Sequence, residues 1–421
     1  MMERKREDFS MTYIIIGAGS RGTIYGNWAH KNGHTVVAIA ELRPDRLEAL
    51  GDALEVPEDM RFHSGEELLS LGPIADAAII ASQDRDHYGH VMAALDAGYD
   101  VLLEKPISPS PRECLEIEAK ANELGLKVTV CHVLRYTNFF STLKNIIDSG
   151  ELGKVVAIKH SENIGSYHFA HSFVRGNWRR EDESSPIILA KSCHDLDILL
   201  WLTGSHCTRV SAFGGLSHFR PENAPAGSAD RCLDCPVAAS CHYDARQAYI
   251  PALGGWPTDV VCLEQTEEAL LEALEEGPYG RCVYRCDNDV CDHMSMAMEF
   301  ENGVTATFSL TAQTNSVYRH IHIMCEHGEI EGDGMKQQIT VRRFAPCGCE
   351  SFDERVIHVR TNGSGHGGGD AGIMEDFTSG GQSRSSISNS VESHLMAGAL
   401  EQSRLTGRVV DMAEYRKSIM A

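Results

Sequence analysis

The stretch YIIIGAGSRGTIYGNWAHKNGHTVVAIAEL, residues 13–42, decides the fold of this chain. An apolar run of strand length meets Gly17-Ala18-Gly19-Ser20-Arg21-Gly22, a helical pattern follows, and HTVVAIAEL reads as a second strand. A G-x-G-x-x-G turn between a strand and a helix allows a tight turn, close approach to a pyrophosphate and helix-on-strand packing. The helix start adds N–H groups and a positive dipole end, which suit phosphates. Glu41 closes the second strand, where a carboxylate accepts hydrogen bonds from ribose hydroxyls and repels a 2′-phosphate. NAD is therefore favoured, with Arg43 and Arg46 nearby keeping NADP as the alternative. A glycine turn that binds nothing is the other reading of the pattern.

Outward from this stretch the same rhythm continues to about residue 135. RPDRLEALGDAL, HYGHVMAALDAG and PRECLEIEAKANELG read as helices, and ADAAIIAS, DVLLEKP and LKVTVCHV as strands between them. Near-continuous apolar strands alternating with helices make a parallel sheet covered on both faces. The expectation is a doubly wound Rossmann domain over 12–135, behind a flexible tail at 1–11.

After Tyr136 the pattern changes. LKNIIDSGEL reads as a helix ending at a glycine turn, KVVAIKHSENIG as a strand, ILAKSCHDLDILLWL (188–202) as one helix and TRVSAFGGLSHF as a strand. MSMAMEFENGVTATFSLTAQT reads as two strands joined at Asn302-Gly303, a strong hairpin signal. HIHIMCEHGEIEGDG and QQITVRRF continue the sheet, and Ser390 to Leu405 is helical. Residues 136–421 are thus expected to form an α+β domain on a mostly antiparallel open sheet, with a Cys-rich insertion at about 221–291. The glycine-rich NGSGHGGGDAG (362–372) reads as a functional loop carrying His366 and Asp370.

The bulk numbers bound the rest. The 421 residues are too many for one core, and the composition is globular, with 42% hydrophobic and 23% charged residues. Lys and Arg number 38 against 60 Asp and Glu, a formal charge of −22. Such a surface repels phosphate backbones and anionic lipid, which sets nucleic acid and membrane aside. No run reaches the length of a membrane span or resembles a signal peptide, so the cytoplasm is the expected compartment. There, 14 cysteines point away from disulfides and toward metal binding or chemistry where they cluster.

Leu103-Glu104-Lys105-Pro106 ends a strand before a helix, downstream of GAGSRG. With RYTNFFSTLKNIIDSGELGKV (135–155), CHDLDILLWLTG, ENGVTATFSL, GEIEGDG and the C-terminal helix, this order of motifs resembles the Gfo/Idh/MocA family of nicotinamide-dependent oxidoreductases over nearly the whole chain. The resemblance implies Lys105 as the active-site lysine and His194 as the catalytic histidine. It places Glu104 and Lys105 beside the cofactor, with a cis peptide before Pro106. It also implies Arg135 and Tyr136 near substrate, and a homo-oligomer, dimer or tetramer, formed through the second domain. The chemistry agrees from below. Moving a hydride off an alcohol carbon requires the hydroxyl proton to leave with a base, and histidine titrates near neutrality. A lysine stabilises the charge developing on that oxygen.

One departure stands out. Relatives carry an aspartate four residues before the histidine, whereas this chain has Ala190, with Lys191 beside it and Asp195 and Asp197 after His194. Lys191 either replaces the aspartate, as a second cation or a base, or is a solvated lysine at a helix start. Asp195 is a substrate candidate, and Asp197 more naturally caps or pairs within its domain. Upstream, SYHFAHSFVRGNWRR offers His168, His171, Arg175 and Trp178, a set suited to a polyhydroxylated ligand, with metal ligation by the histidines or a plain loop as the other readings.

In the insertion, Cys232, Cys235 and Cys241 form a C-x2-C-x5-C array, and GRCVYRCDNDVCDH adds Cys282, Cys286 and Cys291. A closed tetrathiolate zinc site is expected, with Cys282 or Cys286, the latter preferred, as fourth ligand. An iron–sulfur cluster and no metal at all are the alternatives. Three functions follow: an NAD-dependent dehydrogenase acting on a secondary hydroxyl of a sugar, cyclitol or glycoside; a glycosidase that recycles NAD; or a non-catalytic ligand sensor of the same fold.

Overall fold

The computed structural model describes residues 10–345, 353–361 and 365–421. Most of the expected N-terminal tail and the first part of the glycine-rich loop lie outside the described residues. The described residues divide into two compact units, one drawn from those within 10–142, 360–395 and 419–421, the other from those within 143–359 and 396–418.

The first unit is built on strands β1 (Thr12–Ile16), β2 (Thr35–Ala40), β3 (Arg61–Phe62), β4 (Ala77–Ile80), β5 (Asp100–Leu103) and β6 (Val128–Val130). They lie in the order β3-β2-β1-β4-β5-β6, and each adjacent pair is parallel. The strand order reverses between β1 and β4, the position at which open parallel sheets of this kind bind ligands. All of Tyr13, Ile14, Ile15 and Ile16 are buried, as are Ala77 to Ile80, because helices cover both faces. The two-residue β3 is too short to be legible in the sequence.

Residues 360–395, which the sequence reading grouped with the second domain, pack with the first unit. Ile373, Met374 and Phe377 of the helix Gly369–Thr378 join one core with Tyr13, Ile15, Leu102 and Val133. The Tyr136 hydroxyl bonds Asp376 Oδ2 at 2.8 Å and the Ser383 and Ser385 hydroxyls at 3.1 and 3.0 Å, tying that segment down.

The second unit carries β7 (Val155–Asn163), β8 (Cys207–Gly215), β9 (His293–Phe300), β10 (Thr305–Thr311), β11 (Tyr318–Cys325), β12 (Gly328–Asp333), β13 (Gln338–Arg343), β14 (Asp353–His358) and β15 (Val410–Asp411). Their order is β14-β13-β12-β11-β7-β10-β9-β8-β15, antiparallel apart from the β7–β10 pair. Met294, Met296, Met298 and Phe300 of β9 alternate with exposed residues, the signature of a sheet buried on one face. The hairpin at Asn302-Gly303 forms as its sequence indicates, with Gly303 at φ +84°. Residues 188–202 are not one helix: Ile187–Ala190 and Cys193–Thr203 are separate helical segments, and the break falls at Lys191-Ser192.

Candidate active site

Each unit supplies its own set of chemically placed residues. In the first, the glycine turn has the geometry its sequence requires. Gly17 sits at φ +98°, and a Cβ there would lie 2.4 Å from the Ala81 carbonyl oxygen. A Cβ on Gly22 would stand 1.9 Å from the Gly17 carbonyl oxygen. Both positions therefore exclude any side chain. The helix Ser20–Lys31 begins with no side-chain cap and no acidic residue in its first turn, which leaves its first N–H groups to an anion. Glu41 stands just beyond β2, its Oε2 accepting from the Ala18 N–H at 2.7 Å and its Oε1 from the Arg43 N–H at 3.0 Å. The uncapped helix start, the bare turn and the carboxylate at the strand end fit the pyrophosphate and ribose of a dinucleotide. Arg43 is engaged with Asp45.

Arg21 and Glu104 meet inside the same unit. Arg21 Nε donates to Glu104 Oε1 at 2.7 Å, and Arg21 Nη2 to Asp370 Oδ1 at 2.6 Å and to the Tyr25 hydroxyl. Burial pushes the Glu104 carboxyl up, but the Arg21 and Lys105 charges outweigh it and hold it below its usual value. Asp370 is likewise held well below its usual value: burial acts against this, while the His366 hydrogen bond and Arg21 prevail. The glycine-rich loop thus reaches the cofactor turn through His366 and Asp370. Glu104 Oε2 accepts from the Lys105 N–H at 3.0 Å, and the peptide between Lys105 and Pro106 is cis. Arg135 and Tyr136 are engaged elsewhere. Arg135 donates to the Arg384 carbonyl at 2.7 Å, and Tyr136 holds the segment around Asp376.

In the second unit, the start of the helix Cys193–Thr203 rests on a buried charge network that the sequence did not reveal. Asp195 accepts from Arg319 through Nε at 2.7 Å and Nη2 at 2.9 Å, and stands 2.7 Å from His160 Nε2. Arg319 lies opposite Glu162 in the β7–β11 register, with Nε 3.0 Å from Glu162 Oε2, while Lys191 Nζ stands 3.4 Å from Glu162 Oε1. Two carboxylates therefore face the Arg319 guanidinium and the Lys191 side chain, which is how buried charges are tolerated. Burial opposes ionisation of Asp195, but Arg319 and His160 hold its carboxyl well below the usual range. Glu162 goes the other way: burial and Asp195 raise it despite Arg319 and Lys191. Asp195 is fully buried, and the residue before it, His194, is 7% exposed. Lys191 occupies the break between the two helical segments, against Glu162.

The upstream set is divided. His171 is buried, its Nδ1 3.0 Å from the Tyr249 hydroxyl and its ring stacked on Tyr279 at 4.8 Å. Burial, aided by Arg175, lowers it to about 3, so it is neutral. Arg175 is also buried, under the Cys-rich lobe. At the surface His168 meets Trp256 at 4.8 Å and Tyr167 meets it at 6.0 Å, with Trp256 43% exposed. Trp256 comes from an irregular segment with no periodic signal, so the sequence reading missed this aromatic surface. Trp178 packs near Phe173.

Of the cysteines expected to bind metal, Cys232, Cys235 and Cys241 line one cavity, joined by Cys282. Cys286 was the preferred fourth ligand, but it is not among the lining residues: its Sγ donates to the Cys282 carbonyl at 3.3 Å. Among the described residues no three His, Cys, Asp or Glu side chains already stand grouped to hold a metal ion.

A dinucleotide turn at the reversal point of a parallel sheet, joined to an antiparallel second unit, is the plan of a two-domain nucleotide-dependent oxidoreductase. Residues 11–132 match the Gfo/Idh/MocA oxidoreductase family in its NAD-binding Rossmann fold, and residues 140–331 match a C-terminal domain of the same family. The chain belongs to the Gfo/Idh/MocA family. It is 26% identical over 312 residues to YteT of Bacillus subtilis, covering 72% of each chain. It is 28% identical over 250 residues to inositol 2-dehydrogenase 1 of Saccharopolyspora erythraea, covering 59% of this chain and 68% of that one. A solved levoglucosan dehydrogenase in complex with NADH and L-sorbose shares the fold at a TM-score of 0.71 and 15% identity, over 96% of this chain and 99% of that one. No helix among the described residues is long and apolar enough to cross a membrane.

Proposed function

We propose that this chain is an NAD-dependent dehydrogenase acting on a secondary hydroxyl of a sugar, cyclitol or glycoside. The observation that carries the cofactor choice is Glu41, whose carboxylate stands at the end of β2 against the Ala18 N–H of the turn. A 2′-phosphate at that point meets a negative charge, and a ribose diol meets an acceptor. The substrate class rests on relatives named inositol 2-dehydrogenase, at 28% identity.

NAD, when bound, supplies the hydride acceptor. Lys105 stabilises negative charge on the substrate oxygen as its proton leaves, and His194 takes that proton. The network of Asp195, Arg319 and His160 fixes the helix start that carries His194, so the imidazole loses little entropy in reaching its working position. Lys191, held by Glu162, provides a second cation next to Ala190, the position at which relatives carry an aspartate. Trp256 and His168 offer an aromatic surface for sugar C–H groups. A homo-oligomer through the second unit is part of the proposal, checked by light scattering in solution.

The test mixes the purified protein with NAD or NADP and a panel of inositols, aldoses and aryl glycosides, followed at 340 nm and by aglycone release. Net NADH growth that Lys105→Ala abolishes supports the reading. Aglycone release without net NADH identifies the recycling glycosidase instead, and sugar binding without turnover identifies a sensor. Undiminished turnover in Lys105→Ala refutes the assignment of Lys105.

A further inference from the structure

The Cys-rich insertion has its own apolar cluster, in which Cys232, Ala245, Tyr249, Leu270 and Leu274 are buried. Polar ties surround a small cavity beside it. Cys232 N–H donates to the Gly280 carbonyl and Cys282 N–H to the Asp230 carbonyl, both at 2.8 Å, which sets these two residues across a short antiparallel bridge. Cys235 N–H donates to the Cys232 carbonyl at 3.3 Å, and the Ala229 N–H donates to Cys235 Sγ at 3.5 Å. Cys232, Cys235, Cys241 and Cys282 all line the cavity, which has room of about 10 Å³, close to a single water-sized sphere.

The charges around it are unbalanced. Arg175 is 2% exposed and donates to the carbonyls of Arg281 and Tyr243, each at 2.8 Å, and to Cys232 Sγ at 3.3 Å. Among the described residues no ion pair joins Arg175 to a carboxylate, and the thiols of Cys232 and Cys286 and the Tyr249 hydroxyl lie near it. Arg231 also lines the cavity; its Nη2 serves the carbonyls of Leu274 and Gly277, while its buried Nε has no hydrogen-bond partner. The acidic residue at the cavity, Asp244, is already taken up by Arg246 and the N–H groups of Arg246 and Gln247. A negatively charged group in the cavity complements the buried Arg175 guanidinium and the unpartnered Arg231 Nε.

We propose that Cys232, Cys235, Cys241 and Cys282 bind one zinc ion as a closed structural tetrathiolate, with Arg175 and Arg231 as its counter-charges. Zinc with four thiolates carries a net charge of about −2, which two guanidiniums neutralise. The cavity has room for one ion as it stands, and iron content in the metal analysis distinguishes the iron–sulfur alternative. Among the described residues no three of these side chains already stand grouped around an ion, and the thiols close on it by side-chain rotation as they lose their protons. Cys286 stays outside, on the Cys282 carbonyl. No open position remains for chemistry, so the ion orders the lobe and takes no part in hydride transfer. The proposal stands independently of the oxidoreductase reading.

The test needs no substrate. Full-length protein, purified without a metal-affinity column from zinc-supplemented medium, is analysed by mass spectrometry for zinc and iron. About one zinc per chain is expected, released by a mercurial in step with thiol modification. Cys282→Ser loses the zinc and Cys286→Ser keeps it. Cobalt substituted for zinc shows thiolate charge-transfer and tetrahedral d–d bands, and these decide the matter if Cys282→Ser fails to fold. Negligible zinc, disulfides among the four cysteines, stoichiometric iron, or zinc lost from Cys286→Ser and kept by Cys282→Ser each overturn the proposal.

Discussion

Replacing Asp195 by Asn removes one of two buried carboxylates while keeping the side chain's shape. In the native cluster Asp195 and Glu162 face Arg319 and Lys191; in the variant Glu162 alone faces both cations. Asp195 provides Arg319 with bonds of 2.7 and 2.9 Å, whereas Glu162 stands 3.0 Å from the same guanidinium and remains in place. Breaking a buried ion pair by removing one partner costs about 3–5 kcal/mol, and the surviving Glu162 contact puts this case at the lower end, about 3 kcal/mol. For a unit of this size that lowers Tm by about 6–12 °C. The assay is thermal and urea unfolding at pH 7, followed by circular dichroism. Arg180→Ala, which breaks a solvent-facing Arg180–Asp182 pair at 2.7 Å, serves as the control and leaves the unfolding transition essentially where it was. The double variant Asp195→Asn/Arg319→Met is less destabilised than the sum of its singles, because the second change removes the charge that the first left stranded. The Asp195 carboxyl lies below its unfolded value, so its contribution is complete above about pH 4 and is lost as pH falls further. An Asp195→Asn protein that melts within about 2 °C of wild type refutes the network as an anchor.

The other predictions concern separate parts of the molecule. His171 is lowered to about 3 by burial and Arg175, so below its unfolded value of 6.5 the unfolded state binds a proton that the folded state does not. Stability therefore falls by about 2 kcal/mol from pH 6.5 to pH 5, and His171→Phe flattens that slope in urea titrations. Glu41→Gln weakens NAD binding about tenfold and narrows the preference over NADP, read by quenching of protein fluorescence. Gly17→Ala forces a Cβ to 2.4 Å from the Ala81 carbonyl oxygen; it destabilises the first unit by about 2 kcal/mol or more and removes NAD binding.

The dinucleotide half was legible because its signals are local. A parallel strand buried on both faces must be apolar throughout, and the turn at Gly17 and Gly22 tolerates no side chain, so composition alone announces both. The Asn302-Gly303 hairpin and the alternation of β9 were equally plain. Less was visible where a residue's role depends on a partner far along the chain. Arg135, Tyr136 and Asp195 looked available to a substrate, yet each is engaged inside its own unit. A polar side chain in a sequence carries no mark of whether it faces solvent or a buried counter-charge.

By itself, then, the sequence determined the Rossmann order, the antiparallel second sheet, the glycine turn with Glu41 behind it, and the motif order that marks the family. The tertiary structure decided that residues 360–395 return to the first unit, bringing His366 and Asp370 to Arg21. It decided that Glu162 and Arg319 stand opposite each other, because the β7–β11 register pairs them. It also places Cys282 on the cavity wall with Cys232, Cys235 and Cys241, while Cys286, four positions on, meets the Cys282 carbonyl. Local patterns follow from the geometry of single strands, turns and helices; pairings across the chain exist only once the sheets have chosen their registers.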